Sequence, residues 1–150
     1  MVDPRAKGAR GESQVRDMLR LHTKLQWERI PGSGALDEKH GLKGDLYVPN
    51  ATNLYCVEVK NYEDDHLTSQ ILTSKDPQLL IWWEQAVRQG IQVSRKPLLI
   101  FKFNRSKMFV AYQGMPMGPY RTMFIDAKGY EFYIALLEDW LVFDKPKFIN

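Results

Sequence analysis

The segment Cys56-Val57-Glu58-Val59-Lys60 alternates apolar and charged side chains with the period of a β-strand. Val57 and Val59 project to one side, Glu58 and Lys60 to the other. A valine face of this kind packs on a core, so the strand is at least half buried. Its other face carries either a solvated Glu–Lys ion pair on an outer strand or a pair of charges with chemical work to do.

The preceding residues bear on that choice. Asp45 opens a second apolar stretch, Asp45–Val48, and Pro49-Asn50-Ala51-Thr52-Asn53 joins it to a strand over Leu54–Lys60. This is a hairpin pattern, and it brings Asp45 beside Glu58. Two close carboxylates repel unless a cation lies between them. Mg²⁺ is a hard ion that takes oxygen ligands, often one or two carboxylates. It can polarise a phosphoryl oxygen and activate water. Lys60 could position that water or stabilise charge building on the phosphate. Asp45 shares a face with Glu58 if it pairs with Cys56 rather than Val57, which requires a four-residue connection or a bulge. Both registers remain open at this point.

Upstream, residues 8–24 read as a helix, with Val15, Met18, Leu19 and His22 at helical spacing and Leu25 just beyond. Glu12 precedes Val15 by three residues and Leu19 by seven, so it lies on or beside the apolar face, where acids are seldom buried unpaired. The plain alternative is an exposed ion pair with Arg16 one turn on. Residues 1–7 read as a flexible basic arm, and Arg29–Gly44 as a loop rich in turn formers.

Downstream, Asn61–Ser74 is polar and irregular. A second helix is expected from Asp76-Pro77, with Asp76 capping and Pro77 in the first helical position, to a stop at Gly90. Leu79, Leu80, Trp83, Ala86 and Val87 would face the core. Trp82 and Trp83 are adjacent and so should not share that core, which offers one of them to a dimer interface. Strands follow at Pro97–Phe103 and Lys107–Tyr112 around a turn at Asn104-Arg105-Ser106, then at Tyr120–Ile125. Met115–Pro119 reads as a loop. Tyr133, Leu136, Leu137, Trp140 and Leu141 give helical spacing over Glu131–Leu141. The sum is an α/β chain, a mixed sheet flanked by helices, forming one domain over residues 1–150.

Composition excludes several classes. No apolar run approaches the roughly 18 residues of a membrane span, and basic residues interrupt the N-terminal region where a signal peptide would lie. A soluble cytoplasmic protein is expected. Cys56 is the only cysteine, which rules out an intrachain disulfide and a cysteine-based zinc site and suits core filling. The net charge is +3, with basic residues grouped at Arg5–Arg29 and at Arg95–Lys107; either group suits a phosphate-binding face or a solvated surface. Glu63-Asp64-Asp65-His66 reads as a solvated loop rather than a metal cluster.

The motif Asp45…Glu58-Val59-Lys60 is similar to the PD-(D/E)XK nuclease signature, with Gly44 where proline is usual. The ordered series Lys7-Gly8-Ala9-Arg10-Gly11-Glu12, Arg29-Ile30-Pro31-Gly32-Ser33-Gly34, Gly44-Asp45-Leu46 and Cys56–Lys60 resembles the archaeal-type Holliday junction resolvases and their phage relatives. The resemblance implies a restriction-endonuclease-like fold. It makes Glu12, Asp45 and Glu58 the acidic metal site, with the Val59 carbonyl as a further ligand, and Lys60 the catalytic lysine. Ser33 matches a serine on the loop that approaches the scissile strand, although Ala35–Lys43 lengthens that loop and a plain turn at Gly32–Gly34 is the alternative. Lys7, Arg10, Arg29 and Lys43 would contact DNA phosphates. Mg²⁺ is the implied cofactor, with Mn²⁺ as a substitute. The implied enzyme is a homodimer that cuts paired strands of branched, four-way DNA. Two rivals remain: another endonuclease of the same fold, restriction-like, flap or repair, and a non-catalytic DNA-binding protein that keeps it.

Overall fold

The computed structural model describes residues 4–31 and 43–150, with side chains from residue 8 onward. Helix α1 (Pro4–Thr23) leads into short strands β1 (Glu28–Arg29) and β2 (Leu46–Tyr47) and the long β3 (Tyr55–Tyr62). Helices α2 (Gln70–Thr73) and α3 (Gln78–Gln92) precede β4 (Lys96–Phe103), β5 (Phe109–Tyr112), β6 (Met123–Ala127) and β7 (Tyr130–Leu136), and α4 (Leu137–Phe143) follows. The strands form one sheet in the order β1-β2-β3-β4-β5-β7-β6. Among the described residues, only β3 and β4 run parallel; the other pairings are antiparallel. A parallel pair needs a long crossover, and α3 supplies it. The expected mixed sheet flanked by helices is the observed architecture.

Strand alternation divides the interior into two cores. Val57 and Val59 join Leu98, Ile100 and Val110 beneath Val15 and Leu19 of α1 and Trp140 of α4. On the opposite face, Leu99, Phe101, Ala111, Phe132 and Ile134 meet Leu79, Leu80, Trp82, Trp83 and Ala86 of α3. Glu58 and Lys60 therefore project toward α3, and the valine face of β3 belongs to α1. Cys56 is buried as core filler, and burial pushes its thiol up to about 12, where it is unreactive.

Several expectations are corrected. Both tryptophans are buried in one core, Trp82 2% exposed and Trp83 1%. They diverge along the sheet: Trp82 packs on Tyr62 and Phe103, while Trp83 stacks on Phe132 at 4.4 Å. Neither is left for a dimer interface. The helix α3 starts after Pro77, which is its cap residue, and Asp76 makes no capping bond. It runs through Gly90 to Gln92; the Gly90 Cα is buried against the Arg95 carbonyl, so close approach and not helix termination explains that residue. Helix α1 begins at Pro4, so residues 4–7 continue it and form no arm. Arg29 sits in β1, and β3 continues through Asn61 and Tyr62, which the polar reading had left irregular. Strands β5 and β6 start later than expected, at Phe109 and Met123.

The largest miss is Glu131–Leu141. Its first half is strand β7 and only Leu137–Phe143 is helical. Phe132 and Ile134 alternate with Tyr133 and Ala135, a period of two that the apolar content disguises as helix. The decisive signal is the two-residue turn Lys128-Gly129, where both residues have positive φ, closing the β6–β7 hairpin at Ala127 and Tyr130. Among the described residues, no helix is long and apolar enough to cross a membrane.

Candidate active site

Strand β3 is central to the sheet, so its polar face cannot be a solvated outer strand. Glu58 is 5% exposed, and Lys60 is only slightly more open. The Lys60 Nζ lies 3.5 Å from Glu58 Oε1, and Gln85 of α3 donates its Nε2–H to the same oxygen at 3.2 Å. Among the described residues, Glu58 Oε2 is buried with no hydrogen-bond partner.

Asp45 arrives from the antiparallel neighbour. Leu46 pairs with Val57, so Asp45 falls beside Glu58, opposite neither Cys56 nor Val57, the two registers left open above. The register differs from the Cys56 pairing by two residues, and a two-residue offset preserves the face. The connection is closed by a side chain: Asn53 accepts from Val48 N–H at 2.8 Å and donates to the Val48 carbonyl at 2.9 Å. Asp45 is pinned from both sides, its N–H donating to the Val57 carbonyl at 2.7 Å and its own carbonyl accepting from Ile30 N–H at 2.9 Å. Its carboxylate accepts from Val59 N–H at 2.7 Å. Gly44 makes this approach possible. Its φ is +91°, and a Cβ there would sit 2.5 Å from the Val57 carbonyl oxygen. The proline usual before the aspartate, with φ fixed near −65°, does not fit this backbone.

The two carboxyl groups perturb each other. Burial, reinforced by the Glu58 charge, pushes Asp45 up to about 8. Burial also raises Glu58, while Lys60 works against that rise. Asp45 lies within hydrogen-bonding reach of Glu58, so a proton on Asp45 removes one of the two charges and bridges the pair. This pair fits a hard divalent cation: paired oxygen donors, one of them buried without a partner, beside a mutual repulsion that a cation would relieve.

Glu12 occupies a different position. It raises both Asp45 and Glu58 electrostatically, which places it at the same site. However, its Oε2 is bound by Arg29 Nε at 2.8 Å, and Arg16 pairs instead with Asp17. Among the described residues, no three His, Cys, Asp or Glu side chains are gathered to hold an ion directly. Of the three expected carboxylates, Asp45 and Glu58 lie side by side, and Glu12 beside them is paired with Arg29. Arg29, expected on phosphate, is engaged with Glu12. The approach of α1 depends on Gly11, where a Cβ would lie 2.7 Å from Asn61 Cβ. We expect Gly11→Ala to push α1 off β3 and cost about 1–3 kcal/mol, read as a lowered midpoint in urea unfolding.

Arg10 is exposed and Lys43 half-buried, near enough to Cys56 to act on it electrostatically. Ser33 and the Lys7 side chain lie outside the described residues. No metal-binding group forms at Glu63–His66; Asp65 accepts from Leu67 N–H and His66 packs on Trp82. Sequence reasoning missed Gln85. The signal was available: Gln85 falls between Trp82 and Ala86 on the buried arc of α3, where a polar side chain needs a partner. An open groove lined by His22, Leu141 and Lys147 lies at the other end of α1 from Glu12.

One family model covers nearly the whole chain. The family described as "Phage putative PDDEXK endonuclease" matches residues 3–150. The chain is 46% identical over 148 residues to Protein D14 of Escherichia phage T5, covering 93% of this chain and 92% of that protein. Among solved structures it is similar to Hjc of Archaeoglobus fulgidus, a Holliday junction resolvase from an archaeal hyperthermophile. That match has 12% identity and a TM-score of 0.44, covering 91% of this chain and 89% of the other.

Proposed function

This chain is a nuclease belonging to the phage PDDEXK endonuclease family, and we propose that it is a metal-dependent DNA endonuclease that cuts paired strands of four-way junctions. The observation that carries the nuclease chemistry is the buried pair Asp45–Glu58 with Lys60 beside it. A buried, partly unpartnered acid pair is costly to fold around, so its presence argues for a ligand.

A divalent cation, Mg²⁺ with Mn²⁺ as a substitute, would supply Lewis-acid activation of water and neutralise charge on the phosphate. Asp45 and Glu58 would hold it, with the Val59 carbonyl as a further ligand. Gln85 and the Val59 N–H fix the two carboxyl groups so that little reorganisation is needed. Lys60 orients the attacking water and offsets negative charge as the phosphodiester opens. Glu12, held by Arg29, sets the field behind the pair. Arg10 and Lys43, together with Lys7 and Ser33, are the candidates for phosphate contact.

The junction substrate rests on the ordered Lys7–Glu12 and Arg29–Gly34 segments, not on the acid pair, which any nuclease of this fold would share. A four-way junction presents two symmetric cuts, which suits a homodimer of single-domain subunits working in the host cytoplasm. Recognition would be by shape and phosphates. Incubating the protein with a four-way junction, a flap and a linear duplex, each with and without Mg²⁺, tests this. We expect metal-dependent cutting with the junction preferred. Equal cutting of all three substrates retains the nuclease and removes the junction; cutting in chelator removes the metal.

A further inference from the structure

We propose that Tyr62 is a stacking platform for an unpaired nucleobase next to the cleaved phosphodiester, an inference that rests on the nuclease reading above. Alternation along β3 places Glu58, Lys60 and Tyr62 on one face, with Tyr62 about 7 Å beyond Lys60. Both charged residues lie under α3. Tyr62 emerges at the rim, 42% exposed.

The ring is held in place. Trp82 stacks beneath it with centroids 4.8 Å apart and planes inclined by 30°. His66 meets it edge-on at 6.0 Å, and His66 in turn packs on Trp82 and Phe103. Trp82 is itself fixed in the α3 core. An aromatic ring braced on one face and open to solvent loses little freedom when a ligand covers it.

The same geometry selects the ligand. A base inside a duplex has both faces covered by neighbours 3.4 Å away and offers nothing to a ring. An unpaired or unstacked base offers a whole π-face, whatever its identity. The distance from Lys60 to Tyr62 is about twice the rise of stacked nucleotides, which suits a strand drawn out of its stack. Tyr62 therefore reads a missing neighbour. This gives the chain a physical means of preferring branched DNA over linear duplex that does not depend on contacts to base edges.

Binding measured in chelator, where nothing is cut, tests the proposal on the full chain. The probe is a branched DNA with unpaired nucleotides at the branch, each replaced in turn by an abasic residue, with a linear duplex alongside. At one position, loss of the base should weaken wild-type binding about tenfold. Tyr62→Leu keeps an apolar side chain on Trp82 and should bind the intact branch about tenfold more weakly, with no further loss at the abasic position. Tyr62→Phe should match wild type, and duplex affinity should not change in any variant. If every abasic branch binds wild type undiminished, the proposal is wrong, and that result needs no variant to fold. It is equally wrong if the abasic loss persists at full size in Tyr62→Leu. Cutting without this coupling removes the platform alone; coupling without metal-dependent cutting removes the nuclease reading alone.

Discussion

Glu58→Gln abolishes cleavage, lowering the rate by about 10³-fold or more, while leaving the metal-free protein at least as stable as wild type. The two effects have one cause. Glu58 lies on a central strand, 5% exposed, and one of its oxygens has no partner among the described residues. A buried carboxylate in that state lowers folding stability, because its desolvation is only partly offset by Lys60 and Gln85. The amide carries no charge and can still accept from both. We expect a gain of about 1 kcal/mol in denaturant unfolding in chelator. The same substitution removes the donor that a cation needs. A purely structural Glu58 gives the opposite pattern, lower stability and unchanged cutting, so the paired measurements separate the readings. Lys60→Ala should also abolish cutting, without the gain in stability.

That site was legible in the sequence to an uneven degree. Glu58 and Lys60 are fixed together by alternation, which needs only the strand. Asp45 is located by the hairpin pattern, but its register stays open there because Asn53 closes the connection through its side chain, a bond that no count of backbone pairs contains. Glu12 was flagged by its place beside Val15 and Leu19, yet its bond to Arg29 comes from a strand seventeen residues on that reads as loop. A two-residue strand has too few side chains to show a period. Gln85 faces Glu58 only because the β3–α3–β4 crossover lays α3 over the polar side of β3, which is a fact of topology. The mixed α/β layout was readable from α1, β3, α3 and β4, whose patterns are long. It failed at Glu131–Leu141, where apolar residues on both faces of β7 satisfy helical and strand spacing alike, and only the Lys128-Gly129 turn decides.

Metal affinity should rise up to about tenfold per pH unit as the pH climbs toward 8 and level off above it, so that half-saturating Mg²⁺ is about 50-fold lower at pH 8 than at pH 6. Burial and the neighbouring Glu58 charge hold Asp45 up at about 8. In metal-free protein at neutral pH the position between the carboxyl groups is therefore satisfied by a proton, and a cation must displace it. The sign for stability follows from the same shift. In the unfolded chain Asp45 ionises near its ordinary value of 3.8, whereas in the folded chain it keeps its proton to about 8. Over that interval the folded state binds more protons, so metal-free stability is full below about pH 4 and declines as pH rises toward 8. Saturating Mg²⁺ should reverse the decline, because it replaces the proton and binds only the folded site. Asp45→Asn carries no proton to displace. It should flatten both the pH dependence of stability and the slope of metal affinity, and bind metal weakly throughout. Calorimetric titration between pH 6 and 9 and thermal unfolding across pH 4–9 are the measurements. A metal affinity that is flat from pH 6 to 8 in wild type would show that Asp45 is already ionised when the cation arrives, and that the acid pair is held apart by something other than the proton they share.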